Sequence, residues 1–287
     1  MIHSKIGINL WNWVPAFSDE NLQLIEHVAS LGFDVIEIGM MALPFDYKRV
    51  GELARSCGVA IDLCGAFTQG RDISNFDPSV RESTKAYFRA CFDAAEQMGA
   101  RLFVGPVYAG GSKAHLLGPD ERQMEWDLAV QGLKELCAEA FGRGIVIGLE
   151  PINRYRTSVV NTVEEALRMV ADVDSPALGI LYDTFQANIE ESDPPRALAR
   201  ACKEQKLVHF HASENHRGPP GSGYIDWKPL FSELAWANYQ GHITIETFAP
   251  GGMDAPWNQY VVDPDLRATQ GLRFLSDLIA ENRIAQN

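Results

Sequence analysis

The chain has 287 residues, with 25 Lys+Arg against 38 Asp+Glu and a formal net charge of −13 at pH 7. Hydrophobic residues make up 46% and charged residues 22%, so the chain has the material for a large core and is not of the disordered class. The acidity argues against nucleic-acid binding and against docking on an anionic membrane, both of which call for a basic face, and favours a soluble cytosolic protein. No apolar run reaches the roughly 18 residues of a membrane span, and Met1 to Pro15 lacks the basic and apolar regions of a signal peptide. Cys57, Cys64, Cys91, Cys137 and Cys202 are odd in number and form no CxxC pair, a pattern expected of reduced cytosolic thiols.

Short apolar segments alternate with longer amphipathic ones. Strands are expected at Lys5–Leu10, Asp34–Ile38, Ala60–Leu63, Leu102–Gly105, Val146–Glu150, Leu178–Tyr182, Leu207–Phe210 and Ile243–Glu246. They are rich in Val, Ile, Leu and Phe and mostly do not alternate, as befits strands buried on both faces. Helix starts are marked by Asp77-Pro78, Asp193-Pro194 and Asp263-Pro264, each an N-cap followed by proline at the first helical position. Thr162 and Glu165 make a capping box. Gly32, Gly58, Gly99 and Gly144 stand just before strands, where left-handed helix caps belong. The pattern gives eight β–α units with no linker between them, hence one (β/α)₈ barrel over residues 1–287. A doubly wound sheet would carry a glycine-rich loop after its first strand, and "INLWNWVPAF" has none.

A barrel of this kind does its chemistry at the C-terminal ends of its strands. The fifth expected strand ends in Glu150, the sixth is followed by Asp183, the seventh carries His209 and His211, and the eighth ends in Glu246. Carboxylates gathered next to apolar strands resist ionisation unless a cation joins them. Three carboxylates and one imidazole suit Mn²⁺, Mg²⁺ or Co²⁺ better than a structural Zn²⁺. His209 and His211 share one face of their strand, so one can ligate while the other lies a layer deeper. His3, His27, His115, His216 and His242 are read as core or surface residues.

In the loop "HASENHRGPPGSGYIDW", Arg217 can fork onto two substrate oxygens or pair with Glu214. Trp11, Trp13, Phe67, Tyr108 and Trp257 gather at or beyond strand ends, where aromatic faces stack on sugar rings or fill core.

"GLEPINRY" with "NTVEEAL", "YDTFQANIEE", "HFHASENHRGPPGSGYIDW" and "ITIETF" together resemble the xylose-isomerase-like barrels. Within them the chain is most similar to the ketose 3-epimerases that act on D-tagatose, D-psicose and L-ribulose, and the resemblance runs over essentially the whole chain. It implies one divalent metal ion, Mn²⁺ foremost with Co²⁺ or Mg²⁺ as alternatives, held by Glu150, Asp183, His211 and Glu246. The second histidine of the family's HxH block is the ligand, which selects His211 over His209. Glu150 and Glu246 double as the acid/base pair, and Arg217 binds substrate oxygens. The resemblance also implies a homo-oligomer, dimer or tetramer.

The chain departs from the family pattern at two places. Gln186 stands where "DTFHMN" has histidine, and Arg156 stands where "NRFE" has glutamate. Both are expected at the substrate, together with Trp13, Phe67 and Tyr108. They imply altered substrate recognition around a retained metal site: another ketose, an oxidised sugar or a sugar conjugate. The runner-up activity is a lyase that cleaves 3-oxo C-glycosides by β-elimination, which would make the chain a subunit of a hetero-oligomer; an aldose–ketose isomerase comes third. An abasic-site endonuclease would need a histidine-rich multi-metal site and a basic face. A non-catalytic sugar-binding module would leave the acidic quartet incomplete, and here it is complete.

Overall fold

The computed structural model describes residues 4–111, 113–249 and 263–284. Eight parallel strands close into a barrel in sequence order: β1 (Ile6–Asn9), β2 (Val35–Met40), β3 (Ala60–Gly65), β4 (Leu102–Gly105), β5 (Val146–Leu149), β6 (Leu178–Asp183), β7 (Leu207–Ala212) and β8 (Ile243–Ile245). β8 pairs back onto β1 through Ile6–Ile243, Gly7–Thr244 and Ile8–Ile245. The outer layer is α1 (Gln23–Ser30), α2 (Tyr47–Cys57), α3 (Pro78–Met98), α4 (Pro119–Gly142), α5 (Val163–Val173), α6 (Thr184–Glu190), α7 (Pro194–Lys203), α8 (Trp227–Trp236) and α9 (Pro264–Ile284). The architecture is the expected single (β/α)₈ barrel.

β1, β2 and β6 are buried along their whole length, because helices cover the outside and side chains fill the inside. The helices bury one stripe: α5 turns Val163, Ala166, Met169, Val170 and Val173 inward at helical spacing. The start signals act as read. Asp77 accepts from Ser79 N, Asp193 from Arg196 N, and Asp263 from Leu266 N. Thr162 and Glu165 cap each other. Gly32, Gly58, Gly99 and Gly144 have φ of 96°, 73°, 83° and 66°, a region that costs a side chain about 1–2 kcal/mol.

Glu150 and Glu246 lie one residue past the ends of β5 and β8. Their amides still donate to the neighbouring strands, Glu150 to Gly105 O and Glu246 to Ala212 O, so both remain in the barrel wall. α6 is an extra element. It starts immediately after β6 because Asp183 Oδ1 accepts from Phe185 N and Gln186 N.

Candidate active site

Four side chains from adjacent strands meet at the C-terminal mouth. Ligand atoms of Glu150, Asp183, His211 and Glu246 all lie within 4.8 Å of one another, and all four residues are buried. Atoms bound about 2.1 Å from a single ion stand about 3.0 Å apart when adjacent and about 4.2 Å when opposite, so the spacing suits one cation. His211 Nδ1 is buried with no hydrogen-bond partner, 3.6 Å from Glu246 Oε1 and 3.9 Å from Asp183 Oδ2. Those separations are too long for hydrogen bonds and natural for two ligands of one ion.

Asp183 divides its oxygens between two tasks. Oδ1 caps α6, and Oδ2 faces Arg217 at 2.8 Å. Arg217 also donates to Glu246 Oε2 at 2.7 Å, and its guanidinium lies 4.0 Å from the centre of the Phe185 ring. Its salt bridges run to Asp183 and Glu246 and not to Glu214. Glu214 instead accepts from the amides of Asn215, Gly221 and Ile225 and from Trp227 Nε1, knotting the loop that presents Arg217.

The electrostatics separate the two glutamates. Burial, with Glu246 and Asp183 close by, pushes the Glu150 carboxyl well above its ordinary range. Burial also works to raise Glu246, but Arg217 and His211 outweigh it and hold Glu246 below that range. Asp183 is raised, chiefly by burial.

Glu37, on β2, was not singled out from the sequence. It is wholly buried and its carboxylate accepts from Asn9 Nδ2 at 2.7 Å and lies 2.9 Å from His209 Nε2. His211 Nε2 sits 3.0 and 3.1 Å from its two oxygens. Glu37, His209 and His211 form a second group with ligand spacing, but these contacts are already made hydrogen bonds. His209 lies against Glu37, and His211 alone reaches both groups. A single charged residue in the apolar run "VIEIGM" was the available signal.

The pocket over the cluster is a narrow cavity of about 50 Å³. Glu150, Glu246, Arg217, Gln186 and Arg156 supply its polar lining, and Trp11, Cys64, Phe67, Ile152 and Phe248 its apolar wall. Gln186 Oε1 accepts from both the amide and the side chain of Asn153, tying α6 to the loop after β5. Trp11 stacks on Phe248 and lies so close over Gly39 that a Cβ there would meet the indole at 2.3 Å. Cys64 is buried beside Glu37 and Glu246, which keeps its thiol protonated.

Trp13 and Tyr108, expected at the substrate, do not line this cavity. Trp13 Nε1 donates to Asp265, and Tyr108 donates to Val160 O behind the β5 loop. Trp257 and His3 fall outside the described residues. A larger cavity of about 590 Å³ opens at the other end of the barrel, between Asp62, Arg101, Val146 and His242. It lies at the N-terminal ends of the strands, away from the cluster.

The model of the xylose isomerase-like TIM-barrel family matches residues 25–278. The chain belongs to that family. It is 29% identical over 254 residues to a D-psicose 3-epimerase of Enterocloster bolteae, covering 86% of this chain and 83% of that one. It is 30% identical over 239 residues to a 3-dehydro-D-guloside 4-epimerase of Escherichia coli K12, covering 80% and 88%. The solved D-psicose 3-epimerase with D-tagatose from Clostridium cellulolyticum H10 superposes with a TM-score of 0.87 at 26% identity, covering 96% and 99%. These relatives are named sugar epimerases, and among the described residues no helix is long and apolar enough to cross a membrane.

Proposed function

We propose that this family member is a metal-dependent ketose 3-epimerase. The carrying observation is the buried quartet Glu150, Asp183, His211 and Glu246 around an unpartnered imidazole nitrogen. These four residues would hold the ion, for which we propose Mn²⁺. When bound, a divalent cation polarises a carbonyl and stabilises the negative charge that develops when an adjacent C–H is deprotonated.

The chain's own groups do the rest. Glu246, kept ionised by Arg217 and His211, is suited to accept the C3 proton. Glu150, buried in the same cluster, is placed to return one. Inversion at carbon needs both, and the pair is exchanged for the reverse reaction. Arg217 holds Glu246 and Asp183 in place and offers its charge to substrate oxygens. Trp11, Phe67 and Phe248 give the carbon chain an apolar wall and exclude water.

A second reading has a specific basis. Arg156 and Gln186 line the pocket, and a 3-dehydro-D-guloside 4-epimerase stands among the relatives. Both point to a substrate that is an oxidised sugar or sugar conjugate, whose proton is equally acidified by a neighbouring carbonyl; the 3-oxo-glycoside lyase belongs to the same chemistry. We further propose that residues 1–287 form one catalytic domain, cytoplasmic and homo-oligomeric, the last to be read by light scattering.

Solvent deuterium incorporation, followed by NMR with Mn²⁺ present, tests the assignment. Exchange at C3 of D-tagatose, D-psicose or L-ribulose with appearance of the epimer supports it. No exchange in any free ketose, with turnover of a 3-oxo-glycoside, moves the protein to the second reading.

A further inference from the structure

Behind the cluster, three polar groups that the proposed chemistry does not use meet His211. Asn9 on β1, Glu37 on β2, and His209 and His211 on β7 are each fully buried. Groups so placed are costly to desolvate and persist when they satisfy one another. They do so around a single carboxylate: Asn9 at 2.7 Å, His209 at 2.9 Å, and His211 straddling both oxygens at 3.0 and 3.1 Å.

Proton accounting gives this arrangement a consequence. An ionised carboxylate only accepts hydrogen bonds, so each imidazole facing Glu37 must carry its proton on Nε2. The form of the ring that can bind a cation is neutral and has one N–H, so in that form His211 Nδ1 carries a lone pair. That nitrogen is the one aimed at Asp183 and Glu246, without a hydrogen-bond partner. The ring is fixed from behind, in both tautomer and rotation, by a residue from a non-adjacent strand.

We infer that Glu37 is a positioning residue for the metal site. It sets His211 as an Nδ1 ligand and makes that nitrogen a stronger donor, while Asn9 and His209 hold the carboxylate in register. Such a partner behind a metal-binding histidine typically contributes about 10–100-fold in metal affinity. The inference rests on reading the quartet as a cation site.

The test is titration calorimetry of Mn²⁺ into the cation-stripped full chain, wild type against Glu37→Gln. The glutamine keeps the shape but offers the imidazoles a neutral oxygen. The expected result is a dissociation constant raised about 10–100-fold in a variant whose circular dichroism matches wild type. A constant within twofold of wild type in the folded variant overturns the inference. Absence of Mn²⁺ binding by the wild type would instead strike the cation-site reading itself. If Glu37→Gln does not fold, the wild type answers alone. With ¹⁵N-labelled histidine and Mg²⁺ bound, NMR must show a proton on His211 Nε2 and none on Nδ1; the reverse tautomer overturns the inference.

Discussion

Replacing Arg217 with methionine removes the cation that binds Asp183 and Glu246 while keeping an apolar stem beside Phe185. Arg217 is 2% exposed, and its Nη1 lies 2.8 and 2.7 Å from the two carboxylates. Removing one partner of a buried ion pair costs about 3–5 kcal/mol, because the remaining charge is left unsolvated. At roughly 2.1 cal/mol/K per residue, the chain unfolds with an entropy of about 0.6 kcal/mol/K, so Tm should fall by about 5–8 °C at pH 7 in EDTA. Saturating Mn²⁺ should return most of that loss, since a bound cation supplies the missing charge. The pH dependence has a defined sign. Arg217 and His211 hold the Glu246 carboxyl below its reference value of 4.5, so its stabilising contribution is full above that pH and is lost as pH falls through the lower folded value. The gap between wild type and Arg217→Met should therefore be widest near neutrality and narrow below about pH 4.5. Scanning calorimetry with EDTA and with Mn²⁺ measures all of this. A Tm loss under 2 °C in EDTA, or a loss that Mn²⁺ leaves untouched, would refute the view that Arg217 compensates these carboxylates.

Glu150→Gln and Glu246→Gln should each lower turnover by more than ~100-fold, the scale of a lost acid/base group; near-normal steady-state rates in either would end the two-glutamate mechanism. Arg156→Glu should shift the ratio of kcat/KM values toward simple ketoses over oxidised or conjugated sugars. An unchanged ratio would remove Arg156 from substrate recognition. At the opposite end of the barrel, burial alone would lower the His242 imidazole, but Asp62, 2.6 Å away, raises it above 6.5. That stabilisation is complete below pH 6.5 and fades as pH rises through the higher folded value. Urea unfolding should thus show Asp62→Asn costing more at pH 6 than at pH 9, and an equal cost at both would contradict the assigned ion pair.

The barrel was legible in the sequence because its signals are local. Each repeat of helix end, glycine and apolar strand is set within about ten residues by capping, φ preference and burial on two faces. The placement of Glu150, Asp183, His211 and Glu246 at one mouth follows from the same regularity, since parallel strands in a closed barrel all end on one side. The resemblance in the blocks from strands five to eight covers these same residues.

Barrel closure decided the rest. Glu37 stands 172 residues before His209 in the chain and meets it only because β2 and β7 share an interior. Arg217 had two sequence-level partners on offer; the loop knotted by Glu214 turns it toward Asp183 and Glu246. Trp11 and Trp13 differ by two positions, yet Trp11 packs over Gly39 at the pocket while Trp13 turns to Asp265. Local sequence sets where a strand ends and which residue follows it. Which distant groups then face that residue, and so which proton and charge it carries, is a property of the closed three-dimensional packing, where partners are chosen by proximity across the barrel and not by spacing along the chain.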